Sequence, residues 1–291
     1  MKQLLWALAA AAAALAACNK SEIITVDDKT PVCKVYEYTP APGQFINENF
    51  TANTPAEACA WAEGRLNSKS LAAYVSLGGF GGYIVVGFGE PIPSGGTGVK
   101  DIEILGNSFD GSSEPGIVWV MRDDNGNGVP DDVWYELRGS EYDSPQTIFG
   151  YEVTYTRPEE GQPVAWRDNL GGEGTIDRMT QHRQEYYPAW ISNDSYTLRG
   201  TRLPDNVRLD PDMSTDGNPY WVRYAFEYGY VDNEGSDAGR FSIADAVDAS
   251  GAPAGLERID FIKIQTGVNS KSGALGEVST EVCRVTNLHA R

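Results

Sequence analysis

Between Gly116 and Tyr142 the chain reads GIVWVMRDDNGNGVPDDVWYELRGSEY, which sets Asp123, Asn125 and Asn127 on alternate positions ahead of Gly128 and adds Asp131 and Asp132 after it. Hard cations such as calcium take roughly six to eight oxygen ligands. Alternate residues of a curling backbone turn their side chains inward, and glycine permits the sharp bend. The pattern D-x-N-x-N-G-x-x-D-D matches the first half of calcium loops of the EF-hand and thrombospondin-repeat type. Trp134 stands where the EF-hand carries its bidentate glutamate, so Asp131 or Asp132 has to close the shell. The competing reading is a polar hairpin turn, since Asn-Gly needs no metal to turn a chain. Clustered carboxylates repel one another unless neutralised, which favours a structural Ca2+ site at Asp123, Asn125, Asn127, Asp131 and Asp132.

Two more acidic groups follow: Asp205, Asp210, Asp212 and Asp216, then Asp232, Asp237, Asp245 and Asp248. Asp245 and Asp248 either ligate a second cation or cap a turn, and acids in loops more often cap. The stretch HRQEYYPAW, residues 182 to 190, joins three aromatic rings to amide and guanidinium groups. Flat rings cover the apolar faces of sugars and other planar or polyhydroxylated ligands while polar neighbours fix orientation, so Arg183, Tyr187 and Trp190 are candidate contacts. The alternative is that these rings are core. Trp166, Asp168 and Asn169 are candidates for the same cleft, or a plug over the core. No catalytic residues are assigned. The only histidines are His182 and His289, and neither G-x-S-x-G nor H-E-x-x-H occurs. A polysaccharide hydrolase or lyase, which needs only two suitably spaced carboxylates, stays open as an alternative.

These side chains have to be held by strands. Past one helix, expected from about Pro55 to Leu66 behind the capping box Thr54-Pro55-Ala56-Glu57, the chain alternates short apolar runs with Gly, Pro, Asn and Asp. Runs at 73–77, 83–88, 101–105, 117–122, 133–138, 151–156, 220–230 and 259–266 predict an all-β fold, an antiparallel jelly roll or β-sandwich. In 220–230 the alternation puts Tyr220, Val222, Tyr224, Phe226 and Tyr228 on the expected core face. Tyr83 to Phe88 is apolar on both faces and suits a central strand.

Residues 1–17 form an expected signal peptide, with a charged start and an apolar run closed by small residues. The ending Leu15-Ala16-Ala17-Cys18 resembles the bacterial lipobox, which implies lipidation at Cys18, with 18–30 as a flexible tether and 31–291 as a single β-sandwich ligand-binding domain. Three cysteines remain in an oxidising compartment. Cys33 and Cys283 lie in similar strand-like runs at opposite ends of the domain and are the expected disulfide; Cys59, sharing a helix face with Ala62 and Leu66, is expected to be a buried thiol. The formal net charge of −18 argues against nucleic acid as a partner, since phosphates need a basic patch.

The segments VSLGGFGGYIVVGF, SSEPGIVWVMRDDNGNGVPDDVWYELRGSEY, HRQEYYPAWI, GTRLP, YAFEYGYVDN, FSIADAVD, IDFIKIQTGVN and LGEVSTEV occur in this order. Together they resemble a family of Bacteroidota cell-surface lipoproteins of PKD-like label, from Val35 to Leu288. The resemblance implies export to the cell surface or outer membrane, a β-rich fold and a place beside outer-membrane uptake systems; some relatives lie near cobalamin-uptake genes. It implies no enzymatic activity, and the Cys33 and Cys283 pair is not part of its pattern. The resulting expectation is a non-enzymatic, calcium-stabilised surface lipoprotein, held at the membrane by its lipid anchor alone. It captures a glycan or cobalamin for a TonB-dependent receptor. An accessory subunit docking on that receptor is the alternative.

Overall fold

A strand buried on both faces reads as a continuous apolar run; the run from Ile84 to Phe88 is such a stretch, and its strand, Tyr83–Pro93, lies beside Arg258–Thr266 near the middle of the largest sheet. The computed structural model describes residues 33–70 and 72–290. The expected signal peptide, Cys18 with its lipidation, and the tether lie outside the described residues. No described helix is long and apolar enough to cross a membrane.

The fold is all-β and antiparallel, sandwich-like, with one α-helix among the described residues. The main sheet has six strands, in the order Lys34–Thr39, Tyr83–Pro93, Arg258–Thr266, Gly116–Met121, Trp134–Leu137 and Ala246–Val247. On one face Ile84, Val86, Val118, Val120, Ile262 and Ile264 meet the helix and a three-stranded sheet of Arg240–Phe241, Ile102–Leu105 and Arg284–Asn287, forming the largest core. A second, four-stranded sheet, Ser195–Arg202, Ile148–Thr156, Val164–Asp168 and Glu173–Ile176, encloses its own core around Tyr151, Tyr155 and Phe80.

The helix spans Pro55–Leu66, as its capping signals predict: the Thr54 side chain accepts from the Glu57 N–H at 3.2 Å, and proline opens the first turn. Ala58, Ala62 and Leu66 are buried against the core. Cys59, expected on that face, is turned aside and only half-buried, because Ala58 holds the inward position.

The run 220–230 needs correction. Only Trp221–Arg223 is strand, paired with Val207–Leu209. Tyr220, Tyr224 and Tyr228, expected in the core, are 47%, 47% and 45% exposed. Asparagine side chains replace the missing sheet partner: Asn206 Nδ2 donates to Tyr224 O, and Asn233 both accepts from Phe226 N–H and donates to Phe226 O. That releases the backbone from the ladder.

Cys33 and Cys283 are both buried. Cys33 Sγ lies 4.0 Å from Lys34 O, the Cys283 N–H donates to Leu105 O, and the described residues contain no disulfide.

Candidate functional site

The acidic loop folds into a tight, exposed tip joining the strands Gly116–Met121 and Trp134–Leu137. Asp123 accepts from the N–H groups of Gly126 (2.7 Å), Asn127 (3.2 Å) and Gly128 (2.8 Å). Asp132 accepts from Asp124 N–H at 2.9 Å. Asn125 and Asn127 both turn their amides onto Asp131, and those bonds hold its carboxyl below the usual range. Gly126 and Gly128 adopt positive φ, +71° and +72°, which glycine alone takes without cost. All five expected ligands therefore gather in one loop, and Asx-type hydrogen bonds account for its shape.

Asp248 is half-buried and caps a turn, accepting from Ser250 and Ala252 N–H; Asp245 sits in a short 3-10 helix, where burial raises its carboxyl. Among the described residues the two do not belong to a converging set of three or more metal-ligating groups.

The aromatic stretch is built mostly as core. Tyr187 is 3% exposed, with its hydroxyl donated to Asn193 O (2.7 Å) and the Arg157 guanidinium over its ring. Trp190 is 7% exposed and donates its indole N–H to Tyr38 O. Arg183 is exposed and reaches back to Thr180 O. Trp166 is half-buried against the same cluster as Tyr187. Asp168 accepts from Tyr151 Oη (2.6 Å) and from Leu170 and Gly172 N–H, closing its own turn. Asn169 bridges Glu152 N–H and Gly150 O. The ring faces of Tyr187 are covered by protein, so its part in this region is to support the surface beside it.

That surface is a narrow pocket between the segment 45–50, the helix and Trp190. Phe50 stacks on Trp61 with ring centroids 5.2 Å apart and planes 6° off parallel; Trp61 stacks on Tyr38 at 6.2 Å, and Tyr38 meets Trp190 at 5.4 Å. Phe45 and Tyr74 complete the wall, edge to face. Polar groups face the same space: Arg65, whose guanidinium lies 5.1 Å from the Trp61 ring, and Asn47 and Glu48, the latter held by His182. Phe45, Phe50, Trp61 and Tyr74 are partly exposed. Sequence reasoning singled out Trp190 and missed these partners, which carry no local motif and meet only through the fold.

Two buried polar assemblies were also unread. On the other face of the main sheet the Lys263 ammonium lies 4.7 Å from the Trp119 ring, 5.0 Å from Trp134 and 5.9 Å from Tyr83. Burial lowers its amine to about 8, against the pull of Glu37 and Glu136. The second assembly is acidic. Glu114, Asp232 and Glu281, 8%, 2% and 1% exposed, bring their carboxylates together. The signal was one acid abutting an apolar run, in EPGIVWV and in STEV.

In comparisons with known proteins, no protein-family model and no curated protein matches this chain.

Proposed function

We propose that this chain is a non-enzymatic, lipid-anchored surface protein that captures a small ligand, a glycan or a corrinoid such as cobalamin, for a neighbouring TonB-dependent outer-membrane receptor. Calcium in the loop of Asp123, Asn125, Asn127, Asp131 and Asp132 pins the turn between two strands of the main sheet. The observation that carries the reading is the aromatic pocket: its partly exposed rings, Phe45, Phe50, Trp61 and Tyr74, offer apolar edges beside the Arg65 guanidinium and the Glu48 carboxylate, which suits a ligand with an apolar surface fringed by hydroxyl or amide groups. Its narrowness suits the end of a ligand, a terminal sugar or a corrin side chain. Titration calorimetry of the full chain with a glycan panel and with cobalamin tests it. One of them is expected to bind, and Trp61→Ala to weaken that binding at least tenfold while the chain stays folded. No heat with any of them overturns the reading. For the loop, EDTA is expected to lower the melting temperature and calcium to restore it, because an ion bound only by the folded state stabilises by mass action.

Docking on a receptor is favoured by a separate observation, the exposed Tyr220, Tyr224 and Tyr228 with Leu209 and Met213 nearby in sequence. Aromatic and methionine side chains are enriched at interfaces. Co-purification of an outer-membrane receptor that is lost on replacing the three tyrosines, with no small-molecule binding, would establish docking instead.

A further inference from the structure

Carboxylates removed from water must be neutralised or hydrogen-bonded, and a buried charge without a partner is among the costliest features a fold can carry. Glu114 lies just ahead of the strand Gly116–Met121, Asp232 directly follows Val231, and Glu281 opens the strand Glu281–Val282. Backbone bonds fix the three segments: Glu114 N–H donates to Asp232 O, and Gly116 and Val231 exchange both of theirs. One carboxylate oxygen of each residue lies within 4.8 Å of those of the other two. Two ligands of one calcium ion, each bonded at about 2.4 Å, can be at most about 4.8 Å apart, so the three oxygens meet the limit for sharing an ion.

The donors around the cluster hold it in place without neutralising it. Asp232 accepts from Asn107 N–H (2.8 Å) and Glu281 N–H (2.9 Å). It does so from a left-handed backbone, φ +56°, that a non-glycine residue seldom takes. Glu114 accepts from Ser279 N–H (3.0 Å) and from the Arg223 guanidinium. The third acid differs: Glu281 Oε1 is buried and receives no hydrogen bond from any donor. Three carboxylates thus face one guanidinium, and the acid with an unsatisfied oxygen is the most deeply buried of them. Adding one divalent cation balances the three carboxylates together with Arg223, in a cluster one of whose acids carries an unsatisfied buried oxygen.

We propose that Glu114, Asp232 and Glu281 bind a hard divalent cation of the calcium class, at a site separate from the exposed Asp123 loop. An all-carboxylate oxygen set selects calcium, magnesium or manganese over zinc or copper. The ion ties together three segments distant in sequence.

The test uses the full chain carrying Asp123→Asn and Asp131→Asn, which removes the loop as a competing site, stripped with EDTA and then given calcium, magnesium or manganese chloride. About one ion per chain is expected to survive gel filtration, with a rise in melting temperature on adding one of the three metals. Glu281→Gln in that background is expected to lose the ion and to melt lower than its parent in that metal, but no lower in EDTA. The sign is decisive. If protons rather than an ion neutralise the acids, removing one buried carboxyl leaves the melting temperature unchanged or raises it whether or not metal is present, and that result overturns the proposal. So does a parent that retains no ion and shows no metal-dependent shift. Should Glu281→Gln fail to fold, the parent decides alone on ion content.

Discussion

Glu136 shows how one residue makes stability depend on pH. It is 6% exposed, it accepts from the Thr201 hydroxyl, and burial raises its carboxyl from 4.5 to about 7 despite that bond and the nearby Lys263. The folded chain keeps this proton to higher pH than the unfolded chain does. Between about 4.5 and 7 the native state therefore binds more protons, so its stability falls as pH rises through that window and levels off above it. Glu136→Gln is expected to remove this component of the slope, on the order of 3 kcal/mol at most; urea midpoints at pH 5 and pH 7.5 for both proteins check it, and parallel pH dependences would refute it. The residue scale is also where sequence reading was weakest. Tyr187 and Trp190 carry the same rings and polar tips whether they hold a ligand or fill a core. What separates the two is the acceptor each finds, Asn193 O and Tyr38 O, and neither is visible in the run of letters. Glu114 and Glu281 escaped for the opposite reason: single acids beside apolar runs look like strand ends until the fold brings them together.

At the scale of elements, local chemistry was legible wherever the element completes itself. The helix Pro55–Leu66 is bounded by groups within its own first and last turns. Thr54 accepts from Glu57 N–H, Glu57 reaches back to Asn53 N–H (2.8 Å), and Arg65 sits in the last turn. Thr54→Ala leaves an orphan donor at the helix start and is expected to cost about 1 kcal/mol, read as a lower denaturation midpoint at unchanged slope; an unchanged midpoint would mean that packing of Ala58, Ala62 and Leu66 alone holds the helix. The run 220–230 failed because only its start, Trp221–Arg223, finds a strand partner, in Val207–Leu209. Asn206 and Asn233 satisfy the backbone instead, and period-two patterning says nothing about which group supplies the hydrogen bonds. The acidic loop lies between these cases. Its ligand-rich spacing and its turn chemistry are both realised in one place, since Asx bonding and cation binding ask for the same residues.

For the whole molecule, the all-β antiparallel class followed from short apolar runs at turn-rich spacing, whereas the order of strands did not. Arg258–Thr266 inserts between Tyr83–Pro93 and Gly116–Met121, neighbours it meets only after more than a hundred intervening residues, and no local feature of its sequence names them. That insertion also determines how the native state opens. Arg258–Thr266 is hydrogen-bonded along both edges, and Ile262 and Ile264 face the largest core, so its amides can reach solvent only when the main sheet comes apart. By contrast, Val207–Leu209 is the outer strand of a two-stranded ribbon with Trp221–Arg223, half-buried at Val207 and exposed at Arg208 and Leu209. In deuterated buffer the amides of 261–265 are expected to exchange last, at a rate set by global unfolding, and those of 207–209 much sooner through local fraying. Uniform exchange across the two would mean that the sheets open as one unit. The strand hidden between its neighbours thus serves as an internal clock for the stability of the entire fold.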